Sequence, residues 1–193
     1  MAEHRELPLF DWSAELRRRF TKRRANRRRA LAASACAGPI AALVATLLSP
    51  PRPILLWNAS ASSPIGLYHV GSADGVGAGD MVIAWPPDGA RELGAERHYL
   101  PRNVPLVKRV AASTGDQVCA IGEAVFVNGR PGTLRRASDS SGRPMPWWTG
   151  CEDIVAGDLF LLTPGVPEAF DGRYFGVSRR HQIVGRARLL WRR

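Results

Sequence analysis

Nineteen consecutive uncharged residues, Ala30 to Leu48, follow three basic triplets and run into Pro50, Pro51 and Pro53. About 20 apolar residues carry a helix across a bilayer, and clustered prolines then end it. The triplets are Arg17-Arg18-Arg19, Lys22-Arg23-Arg24 and Arg27-Arg28-Arg29. Residues 1–29 hold ten Lys/Arg against four Asp/Glu, a balance of +6, while the remaining residues hold 17 against 13, or only +4. A basic flank on the N-terminal side of a span is cytoplasmic under the positive-inside rule. The pattern therefore predicts a basic arm over 1–29, a transmembrane anchor over 30–48 and a domain over 49–193 facing away from the cytoplasm. The run is rich in Ala and includes Gly38 and Pro39, so a buried helical hairpin is the alternative. A cleaved signal peptide fits less well, although Ala59-Ser60-Ala61 has the form of a cleavage site. It lies thirteen residues beyond Leu48, and the basic region before the apolar run is long.

The basic arm also raises nucleic-acid binding, but no aromatic residues interleave its triplets and no specific nucleic acid is expected. Cys36 falls inside the apolar run and reads as a small apolar residue. Cys119 and Cys151 lie in the outer domain, where an oxidising compartment permits either a disulfide or two separate thiols. No cysteine or histidine spacing suits a metal, and no cofactor motif is present.

From Pro53 onward, short β-type runs alternate with turn residues. Candidate strands are 54–57, 67–70, 81–85, 104–112, 117–121, 124–127, 159–163 and 183–190. Asn128-Gly129 after Val125-Phe126-Val127 is a hairpin signal. No helical period of useful length appears after residue 50, so the outer domain should be mostly β. Residues 131–150, rich in Arg, Ser, Gly and Pro, are expected as a long loop or insertion. Trp147 and Trp148 at its end suit either a membrane interface or packing beneath the loop.

The chemistry concentrates in Asn58-Ala59-Ser60-Ala61-Ser62-Ser63-Pro64-Ile65-Gly66-Leu67-Tyr68 and in Leu106-Val107-Lys108-Arg109-Val110. A serine hydroxyl needs a base to become a useful nucleophile, and lysine serves where burial keeps its amine neutral. On a strand, Leu106, Lys108 and Val110 share one face. Lysine in such company is rarely buried without cause; an edge-strand lysine with an exposed ammonium is the other reading. A tight Ser-x-Pro turn, bent and stiffened by Pro64 and Gly66, would present a hydroxyl at the surface, and spacing to Pro64 favours Ser62 over Ser60 and Ser63 as the attacking residue. Ser60, two residues earlier on an extended backbone, would project to the same side and donate to an oxyanion. Asn58-Ala59-Ser60 also matches a glycosylation sequon, a pattern short enough to arise by chance. A Ser-His-Asp triad is disfavoured. His4 precedes the anchor, His69 is close to Ser62 in sequence, and His98 and His181 lie in polar, loop-like contexts.

At these residues the chain resembles the signal peptidase I superfamily, most closely its conjugative-transfer branch. Asn58-x-Ser60-x-Ser62-x-Pro64-x-Gly66-Leu67-Tyr68 resembles the nucleophile box. Leu106 to Ala112 with Gly115-Asp116 resembles the lysine box, and Phe170-Asp171-Gly172-Arg173-Tyr174-Phe175-Gly176 the late box. Ile183-Val184-Gly185-Arg186-Ala187 and Leu190-Trp191 resemble the closing strand. Val127-Asn128-Gly129 and the Cys119/Cys151 pair sit where that branch has them.

The resemblance implies a mostly β, signal-peptidase-like twisted antiparallel fold with one N-terminal transmembrane helix. It implies a serine endopeptidase in the bacterial inner membrane, its catalytic domain periplasmic, cleaving membrane-associated precursors after small residues. Ser62 would be the nucleophile, Lys108 the general base, Ser60 an oxyanion donor and Asp171 an essential acid. The substrate would be a pilin-like or other secretion-system precursor. A general signal peptidase I and a noncatalytic, membrane-tethered assembly protein are the alternatives. Two positions depart from the family. Ser63 replaces a common Met, and Gly172 replaces a Ser, removing a hydroxyl that often helps hold the lysine.

Overall fold

The computed structural model describes residues 9–48 and 53–193, and the chain divides into two compact units between Pro51 and Arg52. The first unit is one helix, α1, Leu9–Leu48. Its 40 residues span about 60 Å at the α-helical rise. The helix continues back through all three basic triplets without a break at residue 29. Arg, Lys and Ala are strong helix formers, and no Gly or Pro interrupts them before Gly38. The stretch Glu15–Leu48 contains an 18-residue window of mean hydropathy 2.0, long and apolar enough to cross a membrane.

The second unit is built on antiparallel sheets. Its strands are β1 (Leu55–Asn58), β2 (Gly66–Val70), β3 (Met81–Ala84), β4 (Leu106–Ala112), β5 (Gln117–Ile121), β6 (Ala124–Val127), β7 (Arg130–Leu134), β8 (Gly150–Asp153), β9 (Phe160–Leu162) and β10 (Ile183–Arg192). A six-stranded sheet runs β1-β2-β10-β3-β4-β9, and a four-stranded sheet runs β7-β6-β5-β8. Period-two alternation gives the larger sheet two buried faces. Val82, Ala84 and Val110 pack with Leu159, Leu161 and Ile183 on one side. Ile83, Val107, Tyr68 and Ala187 pack on the other. A third cluster, with Val118, Val125, Phe160 and Leu162, joins the two sheets.

Two expectations need correction. The outer domain does contain a helix, α2, Asp88–Glu96. It is a nine-residue segment with a marked apolar side, opened by Pro87 and by Asp88 in its first turn, where proline's fixed φ and a negative charge both suit a helix start. Its two glycines, Gly89 and Gly94, mask it in sequence. Gly94 is there for packing, since a Cβ would lie 3.1 Å from Leu100 and 3.4 Å from Phe170.

The region 131–150 is not one loop. Most of β7 and the first residue of β8 fall within it, and only 135–149 lies outside named strands. These segments lack alternation because β7 is largely exposed and β8 lies at a sheet edge. The Asn128-Gly129 turn has φ of 50° and 71°, the positive values that this hairpin requires. Trp148 packs edge-on against Phe160 with ring centroids 6.0 Å apart. The Arg135 guanidinium lies 4.4 Å from the Trp147 ring. Cys119 and Cys151 are register partners on β5 and β8 and form a disulfide.

Candidate active site

The loop from Ala59 to Ile65 joins β1 to β2 and is held from within. Buried Asn58 donates through Nδ2 to the carbonyls of Ser60 (3.0 Å), Ser63 (3.2 Å) and Pro64 (3.1 Å). Its Oδ1 accepts from the Ser60 amide at 3.1 Å. Tyr68 donates its hydroxyl to the Pro64 carbonyl at 2.8 Å. Ser63 donates to the Val107 carbonyl at 2.7 Å, which pins the loop to β4 one residue before Lys108. Such side-chain to backbone bonds let a loop keep one conformation where no ladder supplies partners.

The result is a turn at Ala61–Ser62, in keeping with the tight turn expected at Ser-x-Pro, while the backbone from Ser60 to Ser62 is not extended as expected. Ser60 still lies beside Ser62, with their hydroxyl oxygens 3.0 Å apart and the Ser62 amide donating to Ser60 Oγ at 3.3 Å. Tight turning brings the two hydroxyls together where strand alternation was expected to do so.

Lys108 is 2% exposed, and β4 places it opposite Val82 in the sheet register. Its Nζ lies 2.9 Å from Ser62 Oγ and 3.0 Å from Thr163 Oγ1. Burial lowers its pKa from 10.5 to about 8; the Asp171 carboxylate pulls it back upward and the Arg173 guanidinium adds a smaller downward push. Desolvation dominates because a charged ammonium loses hydration that two hydroxyls only partly replace. The exposed edge-strand reading of Lys108 is therefore excluded.

Asp171 does not touch Lys108. Its Oδ1 accepts from Arg173 Nε at 2.8 Å, and its Oδ2 accepts from the Thr163 amide at 2.8 Å. Both members of the ion pair are buried, at 0% and 1% side-chain exposure. Arg173 also donates to the Thr163 carbonyl at 3.1 Å and the Pro167 carbonyl at 3.1 Å. The pair thus grips Thr163 at both its amide and its carbonyl.

Gly172 is sterically required in this arrangement. A Cβ there would come within 2.7 Å of the Leu161 carbonyl oxygen and 2.9 Å of the Phe160 ring. The lysine-holding hydroxyl that Gly172 cannot supply is provided by Thr163, a residue the sequence offered only as the polar end of an apolar run. Asn58 and Arg173 were likewise visible inside their boxes but carried no assigned role.

Ser60, Ser62 and Lys108 line a cleft of about 660 Å³, within the usual range for ligand sites. Its walls come from Leu56 and Trp57, from residues 99–101 and 104–107, from the 136–145 region and from residues 166–170. Among the described residues no histidine lines it, and His69 is exposed on β2.

A family model described as signal peptidase, peptidase S26, matches residues 27–192. Two Escherichia coli proteins named plasmid transfer protein TraF are similar to this chain. One is 33% identical over 137 residues, covering 66% of this chain and 77% of the relative; the other is 32% identical over 136 residues, covering 65% and 76%. A crystal structure of a signal peptidase I from Enterococcus faecalis V583 aligns at 18% identity over 56% of this chain and 93% of that one, with a TM-score of 0.31.

Proposed function

The chain belongs to the signal peptidase S26 family, and on that premise we propose that it is a membrane-anchored serine endopeptidase working through Ser62 and Lys108. The observation that carries this reading is one contact: a buried lysine amine 2.9 Å from a serine hydroxyl in a substrate-sized cleft. The neutral amine accepts the Ser62 proton as Oγ attacks the scissile carbonyl, and the ammonium then returns that proton to the leaving amine. Ser60 Oγ and the Ser62 amide, already together, turn from each other to the developing oxyanion. Water, with Lys108 again as base, releases the acyl group. Thr163 Oγ1 holds the amine at 3.0 Å, and Asp171 acts through Thr163 as a positioning residue.

With the arginine triplets cytoplasmic, this site faces the periplasm of a bacterial inner membrane. The similarity to two plasmid transfer proteins supports a substrate from the conjugative machinery, a pilin-like or other exported precursor cut after a small residue. The test is to express the wild type, Ser62→Ala and Lys108→Ala with a candidate precursor and follow precursor mass. Loss of processing in both variants is expected. Processing that survives either substitution overturns the Ser–Lys mechanism.

A further inference from the structure

Residues 137–145 form a small hairpin within the segment expected as loop. Met145 donates its amide to the Ala137 carbonyl at 2.8 Å, and Asp139 donates its amide to the Arg143 carbonyl at 2.9 Å. Ser138 and Pro144 face each other between these bonds as an antiparallel bridge. In a pair of that kind, each residue's N–H and C=O point outward, away from the opposite strand. On one side the outward group is used: Arg97 donates to the Pro144 carbonyl at 2.9 Å. On the other side lies Ser138, which lines the same cleft as Ser62 and Lys108. Among the described residues neither its N–H nor its C=O meets a protein partner.

The hairpin is held in place. Asp139 accepts from the Tyr99 hydroxyl at 2.5 Å, from Arg143 Nε at 2.7 Å and from the Ser141 and Arg143 amides at 2.9 Å. The Arg143 guanidinium sits 5.7 Å from the Tyr99 ring centroid. Tyr99 in turn packs on Phe170 at 5.3 Å, and both line the cleft beside Met145 and Ala169. An edge with outward backbone groups therefore stands over an apolar floor, both fixed to one scaffold. An extended polypeptide is the ligand that such an edge recognises, taking main-chain bonds from the edge and setting alternate side chains on the floor.

We propose that the 137–140 edge of this hairpin is a docking rail for the precursor, with the Ser138 N–H and C=O pairing to the precursor main chain beside the scissile bond. The inference rests on the peptidase reading, and it makes Ser138, Tyr99 and Asp139 determinants of substrate binding. Ser138→Pro removes one outward donor while sparing the hairpin's own bonds. Tyr99→Phe with Asp139→Asn loosens the hairpin from its support.

Steady-state cleavage of a precursor spanning the cut site is expected to show KM raised about fivefold by Ser138→Pro, the effect of one lost hydrogen bond. The double variant should raise KM by at least as much, with kcat falling less than KM rises in both. In hydrogen exchange on full-length Ser62→Ala, added precursor should protect residues 136–145. Unchanged KM in both variants together with no protection overturns the rail. Fluorophosphonate labelling of Ser62 reports whether a variant has folded, and where Ser138→Pro has not, the exchange measurement decides. If Ser62→Ala still processes the precursor, it is the peptidase reading that has failed, and exchange still reads the rail.

Discussion

Lys108→Met offers the sharpest physical test, because the residue proposed to do the chemistry should also lower stability at neutral pH. The group's pKa is about 8 folded, against 10.5 for the ordinary side chain. Below pH 8 the lysine is protonated both folded and unfolded, and burying the charge costs about 3 kcal/mol for the 2.5-unit difference. Between pH 8 and 10.5 the unfolded chain binds more protons, so stability rises with pH. Above 10.5 the penalty is gone. Met fills nearly the same volume without charge, but leaves the Ser62 and Thr163 hydroxyls without their nitrogen partner, about 1 kcal/mol each. At pH 7 the substitution should therefore stabilise by about 1 kcal/mol, 3 less 2. At pH 9 the remaining penalty is about 2 kcal/mol and the effect should vanish, and at pH 10 the variant should be less stable than wild type by about 1 kcal/mol. Urea unfolding of both full-length proteins in nonionic detergent across pH 7 to 10 measures this, and taking the difference cancels every other titrating group. Parallel stability curves would refute a buried, low-pKa lysine.

The same pKa predicts that kcat/KM rises with pH on a single-proton limb with its midpoint near 8, since the base must be neutral; a limb centred near 10 in a Ser62-dependent assay contradicts it. Thr163→Val should lower kcat by about tenfold and displace that limb, whereas Thr163→Ser keeps the hydroxyl and should recover most of both; equal loss in the two variants makes Thr163 a packing residue only. Gly172→Ser, which restores the family's usual residue, should destabilise by about 2 kcal/mol through overpacking against Leu161 and Phe160, read as a lower melting temperature.

Most strands were legible because their apolar runs coincide with sheet faces buried on both sides, as Val82, Ile83 and Ala84 show. The helix at Asp88–Glu96 was not, because its apolar side carries only one large residue, Leu93, and two glycines fall within its nine residues, leaving too faint a period to read. Strand β7 was hidden for another reason. It is mostly exposed, so nothing enforces alternation on it. In the candidate site, Ser62 and Lys108 could be paired from sequence because each lies in a short, chemically odd context. Thr163 could not, since its contact with Lys108 spans 55 residues and depends on how β9 meets β4. A turn at Ser-x-Pro is legible in the sequence, but its reach back to Ser60 is not, because the Asn58 amide holds it through three carbonyls and a side-chain bond of that kind leaves no periodic trace.

Asp171 is where sequence and structure together say more than either alone. An acid close to the proposed base poses a problem, since a carboxylate favours the ammonium and so works against the neutral amine that the reaction needs. The structure answers by pairing Asp171 with Arg173, both fully buried. Their effects on Lys108 run in opposite directions, and burial outweighs both. The carboxylate can then spend its second oxygen on the Thr163 amide without leaving Lys108 permanently charged. A buried ion pair adds little stability beyond an apolar pair of the same volume, but breaking it by removing one partner is costly. On this argument Arg173 and Asp171 form one unit. Removing Arg173 alone should raise the Lys108 pKa and move the activity limb toward higher pH, whereas removing Asp171 alone should lower that pKa, move the limb toward lower pH and also lose the hold on the Thr163 amide.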